Sequence, residues 1–298
     1  MERSQDSVSV IIPTYNRPRE LADCLAALER SHYSRDRFEV IVVDDGSVVS
    51  PESTIASFKK RLELRSFRQA NAGPSAARNL GAAKAYGHIL AFTDDDCAPA
   101  VDWLQNIRLR FGAEREPVIV GGRTVNALSN NIFSAVSQHI VDIGYAYHNR
   151  DPNQARFFTA NNLAIRADDF HRLGGFDASF ANTASEDREL CGRWLHHGYR
   201  MIYAPEATVY HVHDLTWRTF CKQHFNYGRG ALLLQRARRR QGWQLFRPDG
   251  RYYTRLLGSS TSAGSLSAAL SVAALLIAAQ TAAAAGMALE WIKQKRAS

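Results

Sequence analysis

The chain has 298 residues, of which 45% are hydrophobic and 22% charged, and its formal net charge at pH 7 is +8. This length allows one large core, or one core with a small appendage, and the composition excludes an intrinsically disordered chain and a fully membrane-embedded one. The four cysteines are widely separated and form no CxxC pair, which argues against a zinc site or a disulfide framework and is typical of a reducing compartment.

The first 98 residues alternate apolar runs with segments whose apolar residues have helical spacing. The runs VSVIIP and FEVIVV are apolar on both faces, a pattern typical of strands inside parallel sheets. The predicted elements are strands at 7–13, 38–43, 64–68 and 88–92 and helices at 18–30, 51–62 and 75–86. We therefore predict an α/β fold with a doubly wound sheet, in which ligands bind at the carboxyl edge of the strands.

After residue 98 the alternation loosens into an α+β half, in which the stretch 126–157 reads as a polar loop region of weak patterning. The predicted elements are strands at 118–121, 162–166 and 201–210 and a helix at 187–197. Because no repeat or low-complexity linker interrupts 1–245, we predict one catalytic domain there, with a nucleotide-binding half at 1–98 and an acceptor and catalytic half at 99–245. Residues 246–298 form a separate C-terminal segment in this prediction.

The C-terminal segment is first basic and then apolar. Eight arginines lie between 229 and 255 against one acid, Asp249, and such a block binds polyanions, either nucleic acid or an anionic lipid surface. The 27 uncharged residues at 263–289 are long enough, as a helix, to cross about 30 Å of hydrocarbon. We therefore expect a membrane-associated helix with an anionic membrane surface as its partner, and no nucleic acid.

The sequence leaves the arrangement of this helix open. Basic residues lie on both sides of 263–289, so a span, a re-entrant hairpin and an in-plane helix are all compatible with the charges. The alanine-rich stretch also suits a helix packed on the catalytic domain or a dimer contact. The polar N-terminus has no apolar h-region, so we expect no secretory signal and a place on the cytoplasmic face of the cell membrane.

Carboxylates collect directly after two of the predicted strands. Asp94, Asp95 and Asp96 follow the fourth strand, and Asp44 and Asp45 follow the second. Like charges this close raise each other's pKa, and a hard divalent cation such as Mg²⁺ or Mn²⁺ offsets the repulsion while leaving positions for phosphate oxygens. A solvated acidic turn that caps the following helix is the alternative. Two acidic strand ends together favour a nucleotide and metal site.

Five groups of residues stand out in chain order. They are VSVIIPTYNR, VVDDGS, NAGPSAARNLGAAKAYG, FTDDD, and the pair GGFDASF and SEDRELCGRW. Each is short, but in this order they resemble the motifs of family-2 glycosyltransferases with the GT-A fold, over about residues 7–230. The resemblance implies a Rossmann-like mixed sheet flanked by helices, a nucleotide-sugar donor, and Mg²⁺ or Mn²⁺ as cofactor.

In similar enzymes the loop after the first strand wraps the nucleobase and ribose, and a carboxylate after the second strand receives the base N–H. A later segment of small residues approaches the diphosphate, and the first and last acids of the D-x-D pattern contact the ribose and the metal ion. Carried over, the donor-binding residues are Pro13, Tyr15, Arg17, Asp45 or its neighbour Asp44, Asn71, Gly73, Arg78 and Asp94, and the metal ligand is Asp96. Asp95 is grouped with the donor-binding residues, although we interpret it as a solvent-facing turn residue.

The later stretches imply the reaction. Inverting transfer is a single in-line displacement in which the acceptor hydroxyl loses a proton, and Glu186 with Asp187 matches the acidic pair of the family, with Asp187 as the base. Acids are also favoured in the first turn of any helix, which is the alternative. Asn162 resembles a residue that lines the sugar pocket, or it caps the backbone. His211 resembles a third metal ligand, or it is a surface histidine.

We therefore predict an inverting glycosyltransferase that moves a sugar from a UDP- or dTDP-linked donor to a hydroxyl of a lipid-linked or cell-envelope glycan. Leu190 stands where processive synthases have a glutamine before Arg193 and Trp194, so the addition of a single sugar is preferred. A sugar nucleotidyltransferase and a non-catalytic membrane scaffold with a degenerate transferase domain are the alternatives. A nicotinamide oxidoreductase is excluded because no GxGxxG motif follows the first strand.

Overall fold

The computed structural model describes residues 6–180, 183–243, 250 and 266–296. In these residues one mixed sheet of eight strands runs in the order β3-β2-β1-β4-β7-β6-β8-β5. The strands are β1 Val8–Thr14, β2 Phe38–Asp44, β3 Leu64–Arg68, β4 Ile89–Phe92, β5 Cys97–Pro99, β6 Val118–Asn126, β7 Leu163–Arg166 and β8 Arg200–His211. The helices are α1 Pro18–Glu29, α2 Glu52–Phe58, α3 Pro74–Ala83, α4 Trp103–Gly112, α5 Ile132–His148, α6 Ala167–Leu173, α7 Glu186–His196, α8 Trp217–Arg240 and α9 Leu266–Lys295.

The four strands at one end of the sheet are parallel. β1 pairs with β2 and β4, and β2 pairs with β3, all in the same direction. Val10 and Ile12 of β1 pack with α1 on one face of the sheet, whereas Ile11 lies against α3 on the other. Every residue of β1, β2 and β4 is therefore buried, which confirms the predicted doubly wound α/β arrangement of this half.

The other half of the sheet changes direction. β7 is antiparallel to both β4 and β6, β6 is parallel to β8, and the short β5 pairs antiparallel with β8. The register of β5 and β8 sets Cys97 opposite His211, and the N–H of Val212 donates to the carbonyl of Asp96 at 2.8 Å. The end of β8 therefore returns to the turn that follows β4.

Two long helices, α5 and α8, were not predicted from the sequence. The polar loop predicted for 126–157 is wrong over α5, which begins after the cap Asn131 and packs its apolar residues beside α8 and α9. α8 begins at a capping box in which the side chains of Thr216 and Thr219 each bond to the backbone of the other. Both helices have a recognisable cap in the sequence. Their apolar residues are interrupted by many polar ones, so the helical period was not recognised.

The C-terminal helix α9 lies against α8 and α5. Leu276 and Ala279 of α9 are buried with Val136 of α5 and Phe220 of α8. The two backbones approach so closely that a Cβ on Gly286 would lie 2.0 Å from the carbonyl oxygen of Phe225. By length and composition α9 is also long and apolar enough to cross a membrane. The inner face of α9 therefore packs on the rest of the protein, as one of the alternatives for this helix states.

The predicted arginine block is divided between different surroundings. Arg229 lies 3.0 Å from Glu290 of α9, so the ion pair between the two helices occupies its guanidinium. Arg239 and Arg240 are exposed at the end of α8. Three further arginines of the block lie outside the described residues, and they are Arg247, Arg251 and Arg255. Residue 229 is therefore part of a helix contact rather than of an exposed lipid-binding patch.

We expect Gly286→Ala to lower the melting temperature of the detergent-solubilised protein, because the new methyl group would push the backbone of α8 away from α9 at a cost of about 1–3 kcal/mol. The matched control is Gly144→Ala in α5, where an added Cβ meets no atom within 4 Å. Alanine should stabilise that helix by up to about 1 kcal/mol. Equal melting temperatures for the two variants would contradict the α8–α9 contact.

Candidate active site

Asp94, Asp95 and Asp96 form a turn between β4 and β5 at the carboxyl edge of the sheet. Asp95 is 4% exposed, accepts a hydrogen bond from Thr14 Oγ1 at 2.8 Å and lies 3.2 Å from Arg17 Nη1. Burial raises the pKa of Asp95 to about 7. Its interpretation as a solvent-facing turn residue is therefore wrong, because Thr14 and Arg17 hold the carboxylate inside the turn.

The loop after β1 brings its residues to this turn in different ways. Arg17 Nη1 lies 2.8 Å from Asp96 Oδ2 as well as close to Asp95, so one guanidinium faces two acids. Tyr15 is 45% exposed at the rim, and Pro13 is buried at the end of β1. The predicted contact of these three residues with a nucleobase and ribose stays a prediction.

Asp96 and His211, for which the sequence predicts a metal-binding role, lie close together. His211 Nε2 is 3.3 Å from Asp96 Oδ1, and one ligand atom from each of Asp96, His211 and Cys97 lies within 4.8 Å of the others. Burial opposes ionisation of Asp96, but the hydrogen bond and charge of His211, with Arg17, outweigh it and hold the pKa of this carboxyl well below its usual range. The same carboxylate raises the pKa of His211 against the effect of burial.

The donor set fits a divalent cation with two ligands from the protein. Burial raises the pKa of the Cys97 thiol well above its usual value, so the thiolate that would bind a metal is disfavoured. A carboxylate oxygen from Asp96 and an imidazole nitrogen from His211 remain, and both suit Mn²⁺. Such a site leaves most coordination positions for phosphate oxygens and water.

Asp45 holds the loop that precedes α3. Its Oδ1 accepts from Gln69 Nε2 at 2.7 Å and from the N–H of Ala72 at 2.9 Å, and its Oδ2 accepts from the N–H of Gly73 at 2.9 Å. Asn71 donates its side-chain amide to the carbonyl of Asp45 at 3.0 Å. These bonds use the Asp45 carboxylate to position the predicted diphosphate segment.

Asp44 has an oxygen with fewer partners. Its Oδ1 accepts from the N–H of Ser47 at 2.9 Å. Its Oδ2 is buried without a hydrogen-bond partner in the part of the chain that the structure describes, and Arg68 Nη1 lies 3.5 Å away. Of these two neighbouring acids, Asp44 therefore has the less fully hydrogen-bonded carboxylate.

Arg78 of α3 joins the acidic turn to the second half of the molecule. Its side chain is 4% exposed, with Nη2 2.6 Å from Asp94 Oδ1 and Nη1 3.1 Å from Glu186 Oε1. Burial opposes the positive charge, but the two carboxylates outweigh it and raise the pKa of Arg78 above its usual range. The predicted donor-side acid Asp94 and acceptor-side acid Glu186 thus meet on one guanidinium.

Asp187 follows Glu186 in the first turn of α7. Burial, and then the negative charge of Glu186, raise the pKa of Asp187 to about 7. A carboxylate with this pKa accepts a proton effectively near neutral pH.

The turn that precedes Glu186 packs closely on α8. A Cβ on Gly230 of α8 would lie 1.7 Å from the carbonyl oxygen of Ala184 in this turn. Ser185 has a φ of 94°, a left-handed conformation that a non-glycine residue adopts only when its surroundings enforce it.

Asn162 lies in the core beside the site. It is 0% exposed, and its Oδ1 accepts from Trp103 Nε1 at 2.8 Å. Its Nδ2 donates to the carbonyls of Arg123 and Ala207, each at 2.9 Å. These three bonds occupy both the oxygen and the nitrogen of the amide, so Asn162 is not positioned to line a sugar pocket. Two of them go to backbone carbonyls, as expected for a residue that caps the backbone.

Thr14, Tyr145 and Tyr227 belong to this region but were not predicted. Burial, and then the charge of Asp187, raise the pKa of Tyr227 to about 12, so this tyrosine of α8 lies close to Asp187. Tyr145 of α5 accepts from the N–H of Thr159 at 2.9 Å and lines a cavity of about 630 Å³ between β6 and α5. Both tyrosines are in the helices that the sequence did not reveal, whereas Thr14 was concealed within the recognised PTYNR stretch.

Comparison with known proteins gives a consistent result. A family model described as glycosyl transferase family 2 matches residues 9–174. The chain is 29% identical over 238 residues to chondroitin synthase of Escherichia coli, covering 69% of this chain and 34% of that protein. It is 29% identical over 227 residues to validoxylamine A glucosyltransferase of Streptomyces hygroscopicus subsp. jinggangensis, covering 67% and 54%. The chain thus spans about half or less of the length of these relatives.

Solved structures share the fold at low sequence identity. The mannosyltransferase PcManGT from Pyrobaculum calidifontis, in complex with GDP-Man and Mn²⁺, superimposes with a TM-score of 0.65 at 20% identity, over 92% of this chain and 86% of that one. S. aureus TarS 1-349, in complex with UDP-GlcNAc, gives a TM-score of 0.55 at 15% identity, over 97% and 92%. The chain has the GT-A fold and belongs to glycosyl transferase family 2.

Proposed function

We propose that this chain is a metal-dependent inverting glycosyltransferase that moves a sugar from a UDP- or dTDP-linked donor to a hydroxyl of a lipid-linked or cell-envelope glycan. The observation that carries the proposal is the pair of contacts on Arg78, because they join the acidic turn to Glu186, the neighbour of Asp187. A donor diphosphate at the turn and an acceptor hydroxyl at Asp187 would then lie on the two sides of one buried guanidinium.

The donor side is supported by three residues. Asp44 Oδ2 has no hydrogen-bond partner among the described residues and would accept the N3–H that uracil and thymine share, once the base-binding loop opens to it, which would favour UDP- and dTDP-sugars. Asp96 and His211 would hold Mg²⁺ or Mn²⁺, and the imidazole favours Mn²⁺. When bound, this ion would neutralise the charge that develops on the departing nucleoside diphosphate.

We assign proton removal to Asp187. As the acceptor oxygen bonds to the anomeric carbon, the bond from that carbon to the diphosphate oxygen breaks, and the hydroxyl proton passes to the Asp187 carboxylate. Attack from the face opposite the leaving group inverts the anomeric configuration. The pKa of about 7 lets Asp187 be free of a proton at neutral pH and still bind one strongly as the hydroxyl attacks.

The donor and its metal requirement are tested with purified protein and a panel of UDP-, dTDP- and GDP-sugars. One donor should be hydrolysed slowly, and only when Mg²⁺ or Mn²⁺ is present. Asp96→Ala should weaken metal-dependent donor binding in calorimetry by at least about tenfold, because it removes a charged ligand. The matched control is Asp36→Ala. Asp36 is an exposed acid just before the first residue of β2, at the edge of the sheet opposite the acidic turn, and this variant should bind the donor normally.

The same assays discriminate between the alternatives. Unchanged donor affinity in Asp96→Ala would contradict the metal role. Formation of pyrophosphate from a nucleoside triphosphate and a sugar phosphate would favour the sugar nucleotidyltransferase, and no turnover of any donor would favour the non-catalytic scaffold.

The base is tested with Asp187→Asn, which keeps the side-chain shape but cannot take the proton. Donor hydrolysis and transfer should fall by at least about 100-fold while donor affinity stays nearly unchanged.

In the wild type, kcat/KM should rise about tenfold per pH unit below pH 7 and level off above it, because only unprotonated Asp187 accepts a proton.

Glu186→Gln is the informative companion to Asp187→Asn. The negative charge of Glu186 is the second cause of the raised pKa, so its removal should move the acid limb of the pH profile to lower pH. An acid limb that stays in place in Glu186→Gln, or that persists in Asp187→Asn, would assign the base to another group.

We also propose that α9 attaches the enzyme to the cytoplasmic face of the membrane, lying in its plane. The outer face of α9 has exposed apolar side chains, and they are Leu266, Leu270, Ile277, Met287, Leu289, Trp291 and Ile292. The one acid of this helix, Glu290, is turned inward to Arg229, so no charge interrupts that face before Lys293. The inner face packs on α8 and α5, which favours an in-plane helix over a span.

Ile277→Glu should reduce flotation of the protein with phosphatidylglycerol vesicles by at least about tenfold, because it places a charge in the centre of the apolar face. Leu109→Glu changes a similarly exposed apolar residue of α4 and should float normally. Equal flotation of the two variants, with a change from dimer to monomer in Ile277→Glu alone, would instead assign the face to a second copy of the chain.

A further inference from the structure

Four basic residues lie near the first two turns of α7, and two of them contact the Phe157 ring. The guanidinium of Arg188 lies over the Phe157 ring, 4.9 Å from its centre, and the His148 ring is 6.2 Å from the same centre. Arg156 precedes Phe157 and is exposed. Arg238 reaches across from α8 to Gly192 of α7, one turn after Arg188, with Nη2 3.7 Å from the position that a Cβ on Gly192 would take. We call His148, Arg156, Arg188 and Arg238 the basic cluster.

The charges of the arginines in the basic cluster lower the pKa values of other members of the cluster. Burial, and then the charges of Arg188, Arg156 and Arg238, lower the pKa of His148 to about 4, so the imidazole is neutral at pH 7. Burial, and then Arg188 and Arg156, lower the pKa of Arg238 from its usual value. Three positive guanidinium groups therefore repel one another across a short distance.

Within the described ranges 6–180, 183–243 and 266–296, Arg156, Arg188 and Arg238 form no ion pair, and the carboxyl whose pKa Arg188 lowers is that of its neighbour Asp187. Other arginines of the same region behave differently. Arg78 is paired with two acids, and Arg193 of α7 with Glu189 at 2.7 Å. A group of positive charges that outnumbers its neighbouring carboxylates is stabilised when an anion binds there.

We infer that the basic cluster binds a phosphate group that the acceptor carries next to the hydroxyl that reacts. The planar guanidinium offers paired N–H donors that match phosphate oxygens, and three such groups at a partly exposed site can surround one phosphate. The charge of Arg188 acts on the Asp187 carboxyl, so a phosphate held by Arg188 would lie within electrostatic reach of the proposed base. This inference rests on the proposed function, because it uses Asp187 as the residue that receives the acceptor proton.

The donor diphosphate is a poorer occupant of the basic cluster. The acidic turn, where the donor is proposed to bind, has its own positive partners in Arg17, Arg78 and His211. No member of the basic cluster forms an ion pair with the acids of that turn within the described residues. The two sets of positive groups therefore suit two separate anions, the leaving group and the acceptor.

Binding is tested with inorganic phosphate as the probe and EDTA present, so that no metal ion bridges phosphate to the donor site. Titration followed by ³¹P NMR line broadening should give saturable binding to the wild type. Arg156→Gln and Arg238→Gln should each weaken it by at least about fivefold, since each removes a charge-assisted hydrogen bond. Arg240→Gln, an exposed arginine two residues beyond Arg238, is the matched control and should bind as the wild type does.

A second measurement tests whether the phosphate lies beside Asp187. Asp187 faces ionisable groups from four helices, and they are Glu186, Arg188 and Cys191 of α7, Arg78 of α3, Tyr145 of α5 and Tyr227 of α8. A bound phosphate adds negative charge to this set, so saturating phosphate should move the acid limb of donor hydrolysis to higher pH at constant ionic strength and excess metal. The shift should persist in Arg240→Gln and be lost in Arg156→Gln and Arg238→Gln.

The outcomes separate this inference from the proposed function and from membrane binding. Phosphate affinity that is equal in all variants, or an acid limb that phosphate does not move, would overturn the inference while leaving donor hydrolysis intact. Absence of donor hydrolysis with normal phosphate binding would instead overturn the proposed function. If Arg156→Gln and Arg238→Gln lose flotation with phosphatidylglycerol vesicles as strongly as they lose phosphate, the basic cluster binds lipid headgroups and the acceptor assignment is overturned.

Discussion

A buried guanidinium is stable only when its charge is matched, and Arg78 is matched by Asp94 and Glu186. These acids come from opposite halves of the chain, one from the turn after β4 and the other from the first residue of α7. Because a single rigid group binds both, the halves cannot separate without leaving charges unpaired in the interior. Arg78 therefore helps to hold Asp94 close to Glu186, the neighbour of the proposed base.

The position of Arg78 depends in turn on Asp45. By accepting the N–H groups of Ala72 and Gly73, the Asp45 carboxylate fixes the loop that leads into α3, and α3 carries Arg78 to the sheet edge. On the other side α8 performs the equivalent task, since Gly230 packs against Ala184 and holds the turn that precedes Glu186. The acids of the site are thus held from two sides, by the loop before α3 and by α8.

How far the sequence predicts this site depends on the range of the interaction concerned. The parallel strands and the acidic turn follow from short apolar runs and from the residues directly after them, so 7–13, 38–43 and 88–92 were predicted within a residue or two of the structure. The burial of Asp95 was not predictable, because it depends on Thr14 and Arg17, which reach the turn only after β1 and β4 pair. The different hydrogen bonding of Asp44 and Asp45 likewise depends on the loop before α3, which lies far from them in sequence.

The arginines between 229 and 255 show that the sequence likewise does not predict the electrostatic environment of each charged residue. Composition treats them as one positive block, whereas the structure gives its members different electrostatic environments. Arg229 is neutralised by Glu290, Arg238 faces Arg188 and Arg156, and Arg240 is exposed to solvent. The free energy of a charged side chain is set by what lies within a few ångströms of it, so identical residues along one helix can stabilise a contact, bind an anion or remain hydrated. Net charge therefore indicates that anions are attracted to this end of the molecule, and the pairing of each arginine decides where one can bind.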